Sequence, residues 1–305
     1  MVAVIILCGF KNISSVFSYH FTTKNLPEKT DKTFRVLTWN VENFITHHIN
    51  SDTVGSKYRE MIKFIQSSNA DIVCIQDFEQ LDSSIFLHPI EFIKDSLHYP
   101  FIYMSKDIDT TTIWGHSVYG TCIFSRLPIK NSNSIQYNGK HFTESLGFAD
   151  VIYNNKTIRI FNTHLRSMYT SMDTTKPREE FKYVMNDTNI VFHSSKYAKL
   201  KYFDTSHINQ VEIIRKVMDT TKLPFVFCAD LNSVPSSYVY HQLGKNLTDA
   251  FTAKGSGWQG TYSGNIPFLR IDVVLMSKEL KPIHYFSPRL NLSDHYPIIA
   301  DISFK

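Results

Sequence analysis

From Phe34 to the C-terminus the chain alternates short apolar runs with polar breaks. Runs rich in β-branched and aromatic residues read as strands, because such side chains fit a pleated, half-buried surface. FRVLTWNVE, ADIVCIQD, GTCIFSR, TIRIFNTHL, LPFVFCADLN, RIDVVLMS and HYPIIADISF are of this kind. LGFADVIY meets TIRIFNTHL across Asn154-Asn155-Lys156, a turn-forming triplet that predicts a β-hairpin. Between these runs the period changes. SKYREMIKFIQSS sets Tyr58, Met61, Ile62 and Ile65 on one helical stripe, and INQVEIIRKVMDT does the same with Ile208, Val211, Ile214 and Val217. Strands mixed with a few covering helices predict an α/β sandwich, sheets packed together with helices outside.

Composition narrows the picture. A chain of 305 residues can bury a large core, and 43% hydrophobic with 20% charged residues excludes a disordered tail or a fibre. Lys and Arg number 32 against 28 Asp and Glu, a formal charge of +4. That excess permits a phosphate-bearing substrate but not the long basic surface of a DNA-coating protein. The four cysteines lack zinc-site spacing, and Cys74, Cys122 and Cys228 lie in apolar runs as small buried hydrophobes, so no disulfide framework is expected. The opening MVAVIILCGF is shorter than the about 20 residues a bilayer span needs and lacks the basic region of a secretory signal. With the polar stretch that follows it to Lys32, it reads as the trailing end of a membrane anchor and its tether; an ordinary N-terminus is the competing reading. Residues 1–32 are therefore set apart from one catalytic domain, 33–305. The compartment stays open between membrane-anchored, with the catalytic domain outside the cytoplasm, and cytoplasmic. Lys196, Lys199 and Lys201 interleave with Tyr197, Tyr202 and Phe203, a pattern that can hold a nucleic-acid backbone and stack bases, although a solvated face is the commoner outcome.

Chemically capable residues gather where the apolar strands end, since polar groups in mid-strand are costly to bury. Asn40 and Glu42, two apart, share a strand face, and a carboxylate beside an amide suits a hard divalent cation such as Mg2+. Gln76-Asp77 closes another strand with a carboxylate and an amide. His164 ends a third; on a shared rim and protonated, it can stabilise a phosphate oxygen or protonate a leaving group. Asp230 and Asn232 again share a face and can align and polarise a water. Asp272 can fix the tautomer of His295 and favour its cation, with Asp294 on the metal side or hydrogen-bonding nearby. No serine nucleophile elbow, glycine-rich phosphate loop or HExxH competes with these clusters. Metal-assisted hydrolysis of a phosphate ester fits best: it needs a charge-neutralising cation, an aligned water and a cationic group over the developing charge.

In order, TWNVENF, IQD, GTCIFSRLPI, NTHL, ADLNS, RID and SDHYPI resemble the motifs of the endonuclease/exonuclease/phosphatase superfamily, from about Phe34 to the C-terminus. That group includes DNase I-like nucleases, abasic-site endonucleases, sphingomyelinases and inositol-polyphosphate phosphatases. The resemblance implies a four-layer α/β sandwich of two mixed β-sheets packed face to face with helices outside, the site lying on the strand-end rim. It implies a metal and phosphate end at Asn40, Glu42, Asp77 and Asp294, holding Mg2+ with Mn2+ as a substitute. The catalytic set it implies is His164, Asp230, Asn232, Asp272 and His295.

Asp77 stands where the superfamily usually has Glu; one methylene shorter, it implies weakened metal binding unless Glu79 compensates. Val118, with Tyr119 beside it, falls where abasic-site endonucleases carry a tyrosine, which argues against a repair enzyme. SVPSSYVYHQL, LTDAF and GTYSGNIPFLRID are similar to uncharacterised bacterial members, many with N-terminal membrane segments. The expected activity is a phosphodiesterase or nuclease; a phospholipid or inositol-phosphate hydrolase and a non-catalytic binding module are the alternatives. The expected partners are a phosphoester substrate (nucleic acid or phospholipid/inositol phosphate) and a membrane reached through the N-terminus, the chain itself being a monomer.

Overall fold

Alternation along the strands decides which side chains meet across the molecule. The structure, a computed structural model, describes residues 13–20, 25–44, 52–82, 89–112, 115–137, 144–167, 194–263 and 269–305. Its strands are β1 (Phe17–Tyr19), β2 (Phe34–Asn40), β3 (Ile72–Asp82), β4 (Phe101–Met104), β5 (Ile108–Thr112), β6 (Gly115–Ser125), β7 (Ile129–Gln136), β8 (Ser145–Tyr153), β9 (Lys156–His164), β10 (Phe225–Asp230), β11 (Thr248–Asp249), β12 (Ser256–Trp258), β13 (Asp272–Met276), β14 (Leu280–Phe286) and β15 (Ile298–Phe304). The helices used below are α1 (Asp52–Ser68), α2 (Pro89–Ser96), α3 (Ser194–Thr220) and α4 (Tyr238–Leu243).

One sheet runs β14-β15-β2-β3-β6-β4, with β5 also on β6; the other runs β11-β13-β10-β9-β8-β7. Each is mixed, with one parallel pair, β2 with β3 and β9 with β10, beside antiparallel neighbours. The expected hairpin joins β8 to β9, with Asn154 and Asn155 both at positive φ as a tight two-residue turn requires.

Three apolar layers separate four structural ones. Val36, Cys74, Ile160, Cys228 and Val274 pack between the sheets. Leu37, Trp39 and Ile75 turn the other way, onto Met61 and Ile65 of α1 and Ile93 of α2. Phe161, Phe227 and Leu275 turn outward onto Val211 and Ile214 of α3 and Val239 of α4. This is the expected four-layer sandwich. Cys74, Cys122 and Cys228 are buried free thiols, as expected.

Two expectations need correction. Ile208 is 40% exposed, so the buried stripe of α3 is rotated and runs through His207, Val211, Ile214 and Met218. Phe17–Tyr19, assigned by sequence to a tether, form β1, paired antiparallel with β12, and the Ser18 hydroxyl donates to Gly255 O at 2.7 Å. The apolar residues 1–10 lie outside the described residues, as do the side chains of Lys196–Phe203. Among the described residues no helix is long and apolar enough to cross a membrane.

Two buried amides interrupt the apolar layer between the sheets. Gln76 of β3 donates through Nε2 to Asn162 Oδ1 of β9 at 2.6 Å and to Thr38 Oγ1 at 2.8 Å. Asn162 Nδ2 donates back across the gap to Ile75 O (3.0 Å) and Cys122 O (2.8 Å). Asn162→Leu removes three inter-sheet hydrogen bonds and strands their buried partners. Each buried group left unsatisfied costs about 1–3 kcal/mol, so a loss of about 3 kcal/mol or more is expected in urea unfolding. A loss under about 1 kcal/mol would show that the amides do not hold the sheets.

Candidate active site

The same parity that fills the inter-sheet layer ends in chemistry. Phe34, Val36 and Thr38 of β2 lead to Asn40; Ile72 and Cys74 lead to Gln76; Ile158 and Ile160 lead to Asn162 and His164; Val226 and Cys228 lead to Asp230. The antiparallel β13 begins at this end with Asp272. Register aligns them: Asp230 sits beside His164 on one side and Asp272 on the other, while Asn40 is opposite Gln76 in the facing sheet. Five strands thus bring polar side chains to one rim, β2, β9, β10 and β13 at a terminus and β3 at its bulge.

Asp230, fully buried, is the hub. Its Oδ2 accepts from Asn40 Nδ2 at 2.9 Å, bridging the two sheets, and lies 3.6 Å from both His164 Nε2 and His295 Nε2. His295 Nδ1 donates to Asp272 Oδ2 at 3.0 Å, and Asp294 Oδ1 is 3.8 Å from Nε2. His164 Nδ1 meets Asp77 Oδ1 at 3.1 Å, and Asn232 Nδ2 donates to His164 Nε2 at 2.9 Å and Leu165 O at 2.8 Å. Asp77 Oδ1 also accepts from the Tyr119 hydroxyl, and its Oδ2 from Asn40 Nδ2 at 3.3 Å.

These bonds govern the protons. Burial drives the Asp77 carboxyl up, but the His164 charge, with hydrogen bonds from His164 and Tyr119, outweighs it and leaves the group well below the usual carboxylate range. Burial pulls His164 down, while Asp77 and Asp230 raise its affinity for a second proton well above an ordinary histidine's. Asn232 Nδ2, 2.9 Å from Nε2 and also donating to Leu165 O at 2.8 Å, competes with that proton for the nitrogen. For His295, burial likewise pulls down, but Asp272 and Asp230 push the imidazole up to about 10. Burial lifts Asp272 to about 6 despite its histidine partner. Asp294, half-exposed, is raised by burial as well.

Several local expectations are revised. Asn40 and Glu42 do not share a strand face, because β2 stops at Asn40. The Asn40 side chain captures the N–H of Glu42 at 3.0 Å, and Glu42, Asn43 and Phe44 all take left-handed φ of 47°, 57° and 51°. Such residues cost about 1–2 kcal/mol each; the buried Phe44 side chain and the Phe44 N–H to Val41 O bond hold the turn. Asn232 likewise leaves the strand. Its N–H returns to Asp230 Oδ1 at 2.9 Å and its φ is 46°, an Asx turn rather than a continued face. Gln76-Asp77 does not end β3 but forms a bulge within it, with Asp77 at φ 49°. Glu79, past that bulge, accepts from the Ser117 hydroxyl at 2.6 Å. Tyr119, discounted in the sequence comparison, reaches the site through Asp77.

Other contributors had weaker signals. Thr261 Oγ1 accepts the N–H groups of both Ile271 and Asp272 at 3.0 Å, aiming Asp272. The Tyr262 ring stands edge-on to His295 at 5.1 Å. The Ser293 hydroxyl donates to Asn40 O at 2.9 Å and accepts from His295 N at 3.1 Å, tying the last loop to β2. Thr261 and Tyr262 stand in GTYSG, a run with no carboxylate, imidazole or cationic side chain to mark it.

The donor set suits a hard divalent cation: carboxylate oxygens outnumber imidazoles on the rim, leaving local negative charge. Ligand atoms of Asp230, Asp272 and His295 lie within 4.8 Å of one another. Asp272 and His295 satisfy each other through Nδ1, so the carboxylates of Asp77 and Asp294, 25% and 41% exposed, are the accessible oxygen donors beside Asp230.

The model of the Endonuclease/Exonuclease/phosphatase family matches residues 37–295. No curated protein matches the chain. Among solved structures, the endonuclease/exonuclease/phosphatase from Beutenbergia cavernae superposes with a TM-score of 0.65 at 16% identity, covering 90% of this chain and 72% of its own. The Leptotrichia buccalis family protein gives 0.59 at 15%, covering 89% and 100%. D. rerio TDP2, complexed with single strand DNA product, gives 0.58 at 14%, covering 89% and 99%. The family match spans every residue of the rim, from Asn40 to His295, with the imidazole–carboxylate cluster on it: the chain belongs to the endonuclease/exonuclease/phosphatase family and is a metal-dependent phosphoester hydrolase.

Proposed function

We propose that the chain is a Mg2+-dependent phosphodiesterase acting on nucleic acid, with single-stranded DNA the first substrate to test. The observation that carries the catalytic part is the ring around Asp230: Asn40 at 2.9 Å and two imidazole Nε2 atoms at 3.6 Å. The neighbour solved with a single strand DNA product and the mild positive charge favour nucleic acid.

In this reading Asp230 accepts a proton from the attacking water while Asn232 orients it. The water oxygen bonds to phosphorus as the bond to the leaving oxygen breaks, giving a phosphomonoester and an alkoxide that takes its proton from solvent to become the alcohol. His295, held cationic by Asp272, donates from Nε2 to a non-bridging phosphate oxygen, where negative charge builds. His164 aims Asn232 rather than protonating the leaving group, since its Nε2 is occupied by that amide. Glu42, Asp77, Asp294 and Asn40 would hold the cation, which when bound neutralises phosphate charge and eases departure of the leaving oxygen. Asp77 brings a carboxylate already shared among His164, Tyr119 and Asn40, so affinity is expected to be modest.

Asp230→Asn and His295→Ala are each expected to slow hydrolysis of bis-p-nitrophenyl phosphate with Mg2+ by about 100- to 1,000-fold. Wild-type rates in both would refute the roles. Chelation should abolish turnover and Mg2+ or Mn2+ restore it; full activity in excess chelator would contradict metal dependence. Single-stranded DNA should be cleaved faster than duplex DNA, RNA or sphingomyelin in side-by-side assays, and a preference for sphingomyelin would move the substrate to lipid. The pH response has a definite sign. A catalytic imidazolium is lost as pH rises through its pKa, which Asp272 helps hold near 10. Asp272→Asn should therefore move the alkaline limb of kcat downward by about one pH unit or more; an unmoved limb would exclude His295 as the cation.

A further inference from the structure

We propose that His207 of α3 is a positioning residue for hydrolysis, acting as a strut between the loop that follows His164 and the loop that carries Asn232; this rests on the catalytic reading above. The stripe His207, Val211, Ile214, Met218 faces the outer surface of the second sheet, and every member is buried, His207 to 2% exposure. An imidazole at an apolar-stripe position is costly to bury unless its nitrogens are bonded.

Both are. His207 Nε2 lies 2.8 Å from Arg166 O, and Nδ1 lies 3.1 Å from the Ser233 hydroxyl. A carbonyl can only accept, so Nε2 carries the proton and Nδ1 takes the Ser233 hydrogen. Arg166 is two residues beyond His164, and Ser233 is next to Asn232. One rigid ring therefore spans the exits of the parallel strands β9 and β10.

Neighbouring bonds complete the clasp. Gln210, one turn further along α3, accepts the Arg166 N–H at 3.3 Å through Oε1 and donates from Nε2 to Glu144 at 3.0 Å. Leu165 donates to Asp230 O at 2.9 Å and accepts from Asn232 Nδ2 at 2.8 Å. Residues 165–166 are thus gripped from the helix and from the next strand. His164 and Asn232, 2.9 Å apart, keep that separation only while the two loops keep theirs. Neither His207 bond reaches a reacting group directly, so the effect of His207 is geometric. Misplacing a reacting group by about 1 Å can cost about 100-fold in rate.

The test is a double-mutant cycle on the full chain with Mg2+ and bis-p-nitrophenyl phosphate. His207→Leu keeps volume and loses both bonds. It should lower kcat about 10- to 100-fold with KM changed less than about 3-fold. His207→Gln, which can still donate to Arg166 O, should recover most of that loss. In a His164→Ala background, His207→Leu should cost less than about 3-fold, because the His164–Asn232 contact whose length the strut keeps is already gone. Ser233→Ala provides a variant that spares the helix stripe; it should lower kcat about 3- to 10-fold and be similarly muted in the His164→Ala background. Equal losses in both backgrounds, no rescue by Gln, or a wild-type rate in Ser233→Ala would overturn the proposal, leaving His207 as packing. A wild-type rate in His164→Ala alone would instead overturn the role given above to His164 in aiming Asn232, and the strut with it, while Asp230→Asn and His295→Ala test the catalytic reading separately.

Discussion

The molecule depends on a hydrogen-bonded amide pair set in an otherwise apolar seam. Two sheets whose inner faces carry aliphatic side chains can slide past one another at little cost, because dispersion and hydrophobic burial have no direction. Gln76 and Asn162 do have direction. Their Nε2-to-Oδ1 bond of 2.6 Å lets β3 and β9 cross at one setting, and Asn162 also ties Ile75 and Cys122 of the first sheet. Gln76 precedes Asp77, and Asn162 shares its strand face with His164. The setting that makes these amide bonds is therefore also the one that brings Asp77 within 3.1 Å of His164. Specificity of packing and assembly of the site are one event.

From that seam the chemistry follows by parity. An inner-face row of apolar residues can end in a polar one only where the layer opens, and β2, β9 and β10 end at the same edge. Apart from Asp77, supplied by the β3 bulge, the site is built from positions at or just beyond strand ends, so its charged groups sit at the rim rather than in the core. The turns that follow, left-handed at Glu42–Phe44 and at Asn232, are bent by the site's own side chains, Asn40 and Asp230, capturing backbone N–H groups. Charge is arranged so that one imidazole, His295, is held cationic by Asp272, while the Asn232 amide lies against Nε2 of the other, His164.

Much of this was legible in the sequence. Strand identity, the hairpin at Asn154-Asn155, the stripe of α1 and the gathering of acids, amides and imidazoles at strand ends could be read from period and residue type. What could not be read was backbone direction after a strand stops. Period-2 reasoning extended β2 to Glu42 and β10 to Asn232, whereas an Asx side chain at the last position turns the chain at once. Tyr119 was hidden by a one-residue offset, since the β3 bulge changes which partner side chain meets Asp77. His207 was hidden because Ile208 next to it completes an apolar period that looks sufficient; only its two hydrogen bonds mark the histidine as the buried member.

The central claim is that distant segments converge on one cation-accepting rim centred on Asp230. A crystal structure with Mn2+ soaked in, read by its anomalous signal, tests it most directly. The expected result is a peak bounded by Asp77, Asp294 and the Asn40–Glu42 turn, with carboxylate oxygens at about 2.1–2.2 Å and Asp230 still ringed by His164 and His295. A peak elsewhere on the protein, or coordinates in which these side chains face different surfaces, would contradict it.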